Sequence, residues 1–566
     1  MGYILGISCG YHDSAATLIK DGIVLGACEE ERFTGIKHDS SFPHNTIKWL
    51  LQEYSITKDD LNDICFYEIP FEKIDRIETS TKKGGLLNYF NRRNIIKRNK
   101  ESYIDLIQDI NLYVGKETNV SFTEHHLSHA AYSYYTSPYN DAIIVSVDGV
   151  GEWETTTIYE GKRNTLTKLE SIKFPHSLGM FYSTMTAFLG FKPNEGEYKM
   201  MGLAPYGDSS KYIDKFDSII TNHLGSFKLN MDFFTYEYSD THMFNEKLGM
   251  ELGIENRLPE EPLTQEHKDL AAAVQSIYEK YFFSLLDKAY KLSPSRNLCL
   301  SGGCAYNGTA NGKILKQTSY NNLWIPPAPS DAGSAIGCAL NNYYENNVSI
   351  RKINTNPYLG PEYSKDKIKS ALNSFSKYVY SEYVFDTELI KTISKEITEG
   401  NIIGWFDGRM EFGARALGNR SILANPRDPQ MKSRLNMMIK KREGFRPFAP
   451  MIIKGEQVKY FKYQRVVPYM NQVVKVKDEF IDKLPAITHI DNSARIQSLD
   501  SKSNPRIYSL LEQLKVDNEY PIVINTSFNL KDQTMALTPE DAIKTFLNCE
   551  MDTLVLGNYI VKKTII

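Results

Sequence analysis

Two histidines in one short segment have the spacing of a metal-binding pair. His125 and His129 are four residues apart in a stretch with helical character, so on a helix they share one face and can bind one ion. Such a pair needs one or two carboxylates, and the candidates are Asp148, after the following strand, and Asp331, in a proline-rich loop. Two imidazoles and two carboxylates suit Fe, Zn or Mn better than Mg or Ca. The alternative is a polar, partly buried helix start without a metal.

Basic residues in the C-terminal third are set among glycine, proline and apolar residues, which is unusual for a solvated surface. Guanidinium groups in such surroundings favour a phosphate-bearing or polyanionic ligand. The alternative is a set of scattered surface ion pairs. The candidates, with two polar residues that follow a predicted strand at 522–524, are Arg409, Arg415, Arg420, Lys440, Arg442, Arg446, Arg495, Ser527 and Asn529.

Three further positions are candidates for contacts with a ligand. His12 follows the first predicted strand, where an imidazole can accept a hydroxyl proton; the alternative is a surface histidine. The loop 301–303 (Ser301, Gly302, Gly303) leads into a predicted helix at 304–316 that contains Asn307, and backbone N–H groups at a helix start favour an anion. Lys199, in a glycine-rich segment, is a candidate phosphate contact or else a surface lysine.

The elements that must position these residues repeat along the chain. Strands are predicted at 3–8, 15–19 and 23–28, with the hairpin signal Asp21-Gly22 between the second and third. A similar series is predicted at 142–147, 155–159 and 165–169, which indicates a duplicated unit with polar loops at equivalent sheet ends. Two strand–loop–helix units then follow, and a domain boundary is predicted within 347–363, where Asn, Pro, Gly and Tyr are frequent.

Composition limits the class of protein. The chain has 566 residues, of which 42% are hydrophobic and 24% charged, as in soluble folded proteins of two to four domains. Seven scattered cysteines form no CxxC pair, and there is neither a secretory signal nor an apolar run long enough to span a bilayer. These features predict a cytoplasmic protein without membrane contact.

Charge argues against a nucleic-acid binder. There are 66 Lys and Arg against 69 Asp and Glu, a net charge of −3, whereas phosphate-backbone contacts need a basic excess. The one basic stretch, at 82–100 and interleaved with Tyr89 and Phe90, is typical of a solvated helix face; the alternative is a patch for an acidic substrate.

Taken together, these segments resemble the O-carbamoyltransferase family, which includes nodulation-factor, cephalosporin, aminoglycoside (tobramycin-type) and ansamycin enzymes. The resemblance covers nearly the whole chain. It implies an α/β protein with a duplicated actin/Hsp70/sugar-kinase-like domain at 1–355 and a YrdC-like domain at 356–566. The segments that carry it, in the order of the family signatures, are 6–15, 125–130, 301–307, 326–331, 408–421, 445–450 and 525–529.

The resemblance also implies a reaction and its participants. Carbamoyl phosphate and ATP, with Mg²⁺, would give carbamoyl adenylate and pyrophosphate in the C-terminal domain, and the carbamoyl group would pass to a hydroxyl of a small-molecule acceptor at an Fe(II) site in the N-terminal domain. A homodimer is expected at the level of the family. The implied iron ligands are His125, His129, Asp148 and Asp331, and the implied adenylate-site residues are Lys440, Arg442, Arg446, Arg495 and Ser527.

The loop that carries Arg415 departs from the family pattern at two positions: Ala414 stands where proline is usual, and Asn419 where histidine is frequent. We expect the amides of the 301–303 loop to stabilise negative charge during transfer, and His12 to help deprotonate the acceptor. The alternatives are a kinase or ATPase of the same fold class and a non-catalytic binding protein. A hydrogenase-maturation enzyme is disfavoured because the chain lacks CxxC modules.

Overall fold

The computed structural model describes residues 2–84, 89–347 and 350–564, with the backbone alone at 84 and 89–91. The chain divides into two compact units. The first unit contains residues 1–26 and 40–355, and the second contains residues 27–39 and 356–566. Residues 27–39 therefore group with the second unit, although neighbouring residues on both sides in the sequence group with the first.

Two five-stranded sheets of the same topology form the first unit. Their strand orders are β3-β2-β1-β4-β5 and β8-β7-β6-β11-β12; in each, an antiparallel partner lies on one side of the first strand and a parallel partner on the other. The repeat confirms the predicted duplicated α/β domain. The strands are β1 (Tyr3–Ser8), β2 (Ala15–Lys20), β3 (Ile23–Glu29), β4 (Leu61–Phe66), β5 (Asn119–Phe122), β6 (Asp141–Val147), β7 (Glu154–Lys162), β8 (Thr165–Lys173), a separate ribbon of β9 (Ile220–His223) and β10 (Ser226–Leu229), β11 (Asn297–Ser301) and β12 (Asn322–Trp324).

The first hairpin forms where the sequence predicts it. Asp21 and Gly22 have φ values of 51° and 73°, the left-handed conformation that a two-residue turn between antiparallel strands requires. The helices up to the domain boundary are α1 (Glu31–Thr34), which groups with the second unit, and α2 (His44–Glu53), α3 (Pro70–Ser80), α4 (Tyr89–Asn111), α5 (His125–Thr136), α6 (Leu178–Phe188), α7 (Glu197–Leu203), α8 (Glu246–Leu252), α9 (Gln265–Leu292), α10 (Gly308–Asn311), α11 (Ile314–Gln317) and α12 (Asp331–Asn346).

The helix predicted at 304–316 is interrupted. Asn307 has φ −72° and ψ 79°, outside helical geometry, and its side chain accepts a hydrogen bond of 3.1 Å from the N–H of Ala310. Asn307 therefore caps a new short helix instead of continuing the preceding turn, as its polar side chain favours. The segment consists of a 3₁₀ turn at Gly303–Tyr306 followed by α10 and α11.

A mixed eight-stranded sheet forms the second unit. Its order is β13-β22-β21-β14-β15-β20-β16-β19, and β17 and β18 form a separate ribbon. The strands are β13 (Val379–Tyr383), β14 (Ile403–Phe406), β15 (Arg420–Ala424), β16 (Ala449–Ile453), β17 (Val473–Lys475), β18 (Ser493–Arg495), β19 (Gln497–Leu499), β20 (Ile522–Ser527), β21 (Thr553–Leu556) and β22 (Tyr559–Lys563). The helices are α13 (Lys365–Ser374), α14 (Asp386–Thr398), α15 (Met431–Arg434), α16 (Gln457–Tyr460), α17 (Pro505–Asn518) and α18 (Pro539–Leu547).

Apolar side chains cover both faces of this sheet. Adjacent residues along a strand point to opposite faces, and Val555 accordingly belongs to one core while Leu554 and Leu556 belong to the other. Helices α14 and α17 contribute to the first core, and α13 and α18 to the second. Burial on both faces explains the continuous apolar runs that predicted these strands.

Candidate metal centre and basic cluster

Four side chains from three places in the sequence meet in the first unit. His125 and His129 lie on the first turns of α5, Asp148 directly follows β6, and Asp331 begins α12. One donor atom from each of the four lies within 4.8 Å of every other. Nε2 of His125 is 3.2 Å from Oδ2 of Asp148, and Nε2 of His129 is 3.5 Å from Oδ1 of Asp331. The structure therefore brings together all four residues that the sequence singled out.

Contacts outside this quartet orient its members. The second oxygen of Asp148, Oδ1, accepts a hydrogen bond of 2.8 Å from the backbone N–H of Gly303. Nδ1 of His129 hydrogen-bonds with Oγ of Ser334 at 2.9 Å, so its Nε2 is left to face the centre. Glu152 accepts a hydrogen bond of 2.9 Å from the N–H of His125, at the first residue of α5. Such outer contacts fix ligand orientation in metal sites.

The electrostatics of the quartet follow from its two carboxylates. Burial by itself lowers the pKa of His125, but Asp331 and Asp148 outweigh it and raise that pKa to about 9. Burial raises the pKa of Asp148, but hydrogen bonds with His125 and His129 outweigh it and hold that pKa well below its usual range. In the absence of a metal these carboxylates therefore favour the protonated form of His125.

The donor set fits a divalent transition metal. Oδ2 of Asp331 is buried and has no hydrogen-bond partner among the described residues, although a buried carboxylate oxygen ordinarily finds one. Two imidazole nitrogens and two carboxylate oxygens suit Fe, Zn or Mn better than Mg or Ca. His126, between the two ligands in sequence, points elsewhere: its Nδ1 lies 3.1 Å from Oγ1 of Thr157.

His12 lies near this centre. Its side chain is mostly buried, and its Nδ1 is 3.0 Å from Oδ2 of Asp13. Burial lowers the pKa of His12, but Asp331, Asp13 and Asp148 outweigh it and raise that pKa to about 10. Because two of those carboxylates belong to the quartet, the protonation of His12 depends on the charge that the quartet holds.

The amides of the 301–303 loop make contacts within the protein. The N–H of Gly302 donates to the carbonyl of Pro329 at 2.8 Å, and that of Gly303 donates to Asp148. Oγ of Ser301 lies 2.8 Å from Oγ of Ser146 on the neighbouring strand. The geometry thus gives this loop a clear role in positioning Asp148, and its contact with an anion stays a prediction.

Three other sequence candidates in the first unit have local partners. Asn307 exchanges hydrogen bonds with Gln275 in addition to its helix cap. Lys199 lies on α7, with its ammonium 5.9 Å from the centre of the Phe191 ring. In the basic stretch, Lys83 pairs with Glu237 at 2.6 Å, and further pairs follow along α4. Residues 85–88 and the side chains at 89 and 90 lie outside the described residues.

A second cluster of candidate residues forms in the second unit. Lys440 follows a π-helical turn at Leu435–Ile439, and its buried ammonium reaches four oxygens of Ser527, the last residue of β20, and of Asn529 in the loop that follows. It donates to Oδ1 and the backbone carbonyl of Asn529 at 2.8 and 2.9 Å, and to Oγ of Ser527 at 3.3 Å. Burial first, and then Arg442 and Arg446, hold the pKa of Lys440 well below its usual range.

Four arginines belong to the same electrostatic neighbourhood. Burial, and then Arg415, Arg442 and Arg446, lower the pKa of Arg495 well below its usual range. Nε of Arg495 is buried without a hydrogen-bond partner among the described residues. Nε of Arg442 donates to Oδ1 of Asn436 at 2.7 Å, and its guanidinium stacks 4.6 Å from the Phe448 ring. Clustered cations of this kind repel one another until an anion binds among them.

One arginine of the predicted phosphate-binding set is structural. Arg420 is fully buried and donates to backbone carbonyls of the surrounding loop, including Asp407 at 2.7 Å and Gly408 at 3.1 Å. Its guanidinium stacks 3.8 Å from the centre of the Phe406 ring. In the same loop Asn419 donates to the carbonyl of Arg409 and accepts from Asn504, which gives the asparagine a packing role.

Sequence reasoning missed two residues that orient the metal quartet. Ser334 lies three residues after Asp331 on α12, and that helical spacing places it on the same face, so the pattern contained a signal. Glu152 carried no signal, because its partners, the N–H groups of Ile69 and His125, come from distant parts of the chain.

Sequence matches to known proteins cover nearly the whole chain. The family described as Carbamoyltransferase N-terminus matches residues 3–340, and Carbamoyltransferase C-terminus matches residues 394–563. The chain belongs to the carbamoyltransferase family. It is therefore an enzyme that transfers a carbamoyl group, as the resemblance implied.

Individual relatives of this carbamoyltransferase match it over most of its length. It is 41% identical to an uncharacterized protein of Synechocystis, over 100% of this chain and 97% of the relative. It is 32% identical to the nodulation protein NolNO of Sinorhizobium fredii, over 98% of this chain and 79% of the relative. It is 34% identical to the nodulation protein NolO of Bradyrhizobium diazoefficiens, over 78% of each chain.

Solved structures give weaker likenesses. Component A of Acidaminococcus fermentans (R)-2-hydroxyglutaryl-CoA dehydratase matches with a TM-score of 0.32 and 13% identity, over 61% of this chain and 99% of that one. HypF of T. kodakarensis matches with a TM-score of 0.32 and 12% identity, over 61% and 48%. The family assignment rests on the sequence matches. Among the described helices, none combines the length and the apolar character that a membrane span needs.

Proposed function

We propose that this carbamoyltransferase is ATP-dependent and modifies a hydroxyl group of a small molecule in two half-reactions. A YrdC-like domain at 356–566 forms carbamoyl adenylate, and the domain at 1–355 transfers the carbamoyl group. A carbamoyl group is a poor electrophile until its leaving group is improved, and adenylation supplies a better one. The two clusters described above, one basic and one suited to a metal, provide one site for each half-reaction.

In the first half-reaction the basic cluster binds the phosphates of carbamoyl phosphate and of ATP, which carries Mg²⁺. The adenylate keeps only the α-phosphate of ATP, so the balance consumes one water and releases one phosphate and one pyrophosphate. Lys440, Arg442 and Arg446 neutralise the charge of the reactants. Arg415 and Arg495 extend the cationic surface, while Ser527 and Asn529 hold the Lys440 ammonium in place.

In the second half-reaction the acceptor oxygen attacks the carbamoyl carbon, the bond from that carbon to the phosphate oxygen breaks, and AMP leaves with the electron pair. When bound at the quartet, a divalent cation such as Fe(II) supplies Lewis acidity and offsets the two carboxylate charges. With those charges offset, the pKa of His12 falls below the value of about 10 that the carboxylates impose, and its imidazole accepts the acceptor's proton.

A polar cavity beside the loop that follows β1 is a candidate site for the acceptor. Its volume is about 180 Å³, and it lies where β1 and β4 end, next to the segment that carries His12. Its lining suits part of a polyhydroxylated molecule, because hydroxyls and carboxylates supply hydrogen bonds and aromatic rings supply stacking. Its lining includes Ser41, Phe42, Glu68, Ser102, Tyr103 and Asp105.

The observation that carries this proposal is the convergence of the His125, His129, Asp148 and Asp331 donor atoms in the domain matched by the carbamoyltransferase family. The test is a screen of candidate polyols with carbamoyl phosphate, ATP and the metal-loaded protein. We expect a carbamoyl adduct by mass spectrometry, with one AMP, one pyrophosphate and one phosphate per adduct.

The same assay distinguishes the alternative function. A kinase or ATPase of this fold class would release ADP and would not depend on carbamoyl phosphate. ADP as the product, or AMP release without any requirement for carbamoyl phosphate, would overturn the proposed reaction. A His125→Ala variant is the matched control, because it keeps the basic cluster of the second unit and removes one metal donor from the first.

A further inference from the structure

One buried cation in the first unit has no counter-charge in contact with it among the residues that the structure describes. Arg76 lies on α3, and its side chain is 9% exposed. Its Nε is buried without a hydrogen-bond partner, and no hydrogen bond or ion pair joins Arg76 to any described residue. Its guanidinium instead stacks on the Phe174 ring, 5.1 Å from the ring centre. An unpaired buried charge is costly, so it indicates a missing partner.

The nearest acidic groups are already engaged elsewhere. Glu68, which faces Arg76 electrostatically, pairs with Lys73 at 2.8 Å. Glu152, the other such carboxylate, accepts hydrogen bonds from the backbone N–H groups of Ile69 and His125 at 2.7 and 2.9 Å. Neither carboxylate therefore contacts Arg76, and the guanidinium keeps its capacity for a bidentate bond.

Hydrogen bonds and charge interactions link the helix that carries Arg76 with the candidate metal centre. One oxygen of Glu152 holds both the N–H of Ile69, before α3, and the N–H of His125, at the start of α5. Arg76 is seven residues beyond Ile69, which is about 10 Å along a helix axis. Tyr11, beside His12, is influenced by the charges of both Arg76 and Asp331. Arg76 is thus linked to the part of the first unit that contains His12 and the metal quartet.

We propose that Arg76 is a ligand-binding residue of the first unit that takes an anionic phosphoryl group of a molecule bound beside the metal centre. This inference rests on the proposed function in one respect: that function brings a phosphate ester to the first unit and leaves AMP there. A phosphate ester gains negative charge when the carbamoyl group departs, and a largely buried guanidinium stabilises that charge. A phosphorylated acceptor would present the same chemistry.

The chain contains a matched control for this residue. Arg257 is also buried, at 6% exposed, and it also stacks 5.1 Å from a phenylalanine ring, that of Phe191. Unlike Arg76, Arg257 donates to backbone carbonyls, including those of Leu189 at 2.7 Å and Pro259 at 3.1 Å. Arg257→Met therefore removes a structural arginine of the same burial and stacking, whereas Arg76→Met removes an unpaired one.

The test compares the full-length wild type, Arg76→Met and Arg257→Met without any turnover. Inorganic phosphate, AMP and glucose 6-phosphate are titrated by calorimetry, and melting temperatures are recorded without ligand. We expect Arg76→Met to melt no lower than the wild type, because an unpaired buried charge is gone, and to bind at least one of the three anions about tenfold more weakly. Arg257→Met should lower the melting temperature.

The anion that loses affinity identifies the source of the phosphoryl group. Loss for AMP assigns Arg76 to the leaving group, and loss for glucose 6-phosphate alone assigns it to a phosphorylated acceptor. Unchanged affinity for all three anions, or a fall in melting temperature as large as that of Arg257→Met, would overturn the proposal. If Arg76→Met does not fold, Arg76→Lys is used instead, because lysine keeps the charge but lacks the two parallel donors of a guanidinium. Unchanged anion affinities in Arg76→Lys would also overturn the proposal. These binding measurements use no carbamoyl donor. Their outcome therefore does not depend on whether the carbamoylation assay of the proposed function succeeds.

Discussion

Nε2 of His125 and Nε2 of His129 lie 3.0 Å apart, on adjacent turns of one helix. Two imidazole nitrogens this close to each other, and within 3.6 Å of carboxylate oxygens of Asp148 and Asp331, are arranged so that all of them can bind one cation. The distance follows from the i, i+4 spacing, while the direction of each ring is set by contacts beyond the quartet.

Removal of one imidazole should abolish tight metal binding. In His125→Ala we expect the affinity for Fe(II) or Co(II) to fall by more than about 100-fold, because the loss of a ligand exceeds the loss of an outer contact. Ser334→Ala should cost about tenfold, since it frees the His129 ring without removing a donor. Calorimetric titration of the metal-free protein measures both. Equal affinities in the two variants would contradict the ligand assignment.

Metal binding should release protons and strengthen with pH. The pKa of His125 is raised to about 9 by Asp331 and Asp148, so this ligand is protonated at neutral pH and must lose its proton to bind a metal. Affinity should therefore rise between about pH 7 and 9. The stability of the metal-free protein should depend on pH in the opposite direction. The raised pKa of His125 contributes fully to stability below pH 6.5, the pKa of histidine in the unfolded chain, and this contribution is lost as pH rises through about 9. Titrations in two buffers of different ionisation enthalpy count the protons.

Gly302→Ala should disturb the metal centre through the backbone. Gly302 has φ 82°, and a Cβ there would lie 2.2 Å from the carbonyl oxygen of Val147, so the adjacent N–H of Gly303 must move away from Asp148. Gly35→Ala is the control, because Gly35 has φ 73° but nothing within 4 Å of its Cβ position. Gly35→Ala should lose about 1 kcal/mol from its left-handed conformation (φ 73°, ψ 4°). Gly302→Ala should lose more, because φ 82° with ψ 162° is a backbone conformation that essentially only glycine adopts. Only Gly302→Ala should lose more in urea unfolding and also weaken metal binding.

Phosphate binding in the second unit should take up a proton. Burial, Arg442 and Arg446 hold the pKa of Lys440 well below its usual range, and bound phosphates would raise it again. Without ligand, the stability of the fold should rise as pH rises through this lowered pKa, since the unfolded state then holds more protons. Calorimetry with pyrophosphate in two buffers measures the uptake. A Lys440→Met variant should show none, and the same uptake in that variant would refute the assignment.

Arg420 and Arg495 should differ in what their loss affects. Arg420→Met leaves several carbonyls of the 407–419 loop without a donor and should lower the free energy of unfolding by about 3 kcal/mol. Arg495→Met removes a charge that neighbouring arginines repel, so stability should change little while the affinity for pyrophosphate falls. Urea unfolding and calorimetry measure the two quantities. The reverse pattern would exchange the structural and binding roles.

Local patterns were sufficient for much of the fold. The Asp21-Gly22 turn, the continuous apolar strand β6 and the repeated strand–loop–hairpin series all depend on neighbouring residues, and all are present. The predicted helix at 304–316 was wrong in its continuity, because Asn307 caps a new turn and so competes locally with helix propagation. Nothing in the sequence placed residues 27–39 with the second unit, since that grouping depends on contacts with residues far along the chain.

The amino-acid sequence by itself determined which residues are available for chemistry: an imidazole pair at helical spacing, aspartates at two strand or helix ends, and cations set among glycine and proline. Only the tertiary structure decided their partners. It directed the Gly303 amide and Ser334 toward the metal quartet, enclosed Arg420 among carbonyls, and buried Arg76 with no contacting counter-charge among the described residues. The physical reason is that hydrogen bonding and desolvation depend on distances between residues remote in sequence, which local spacing does not encode.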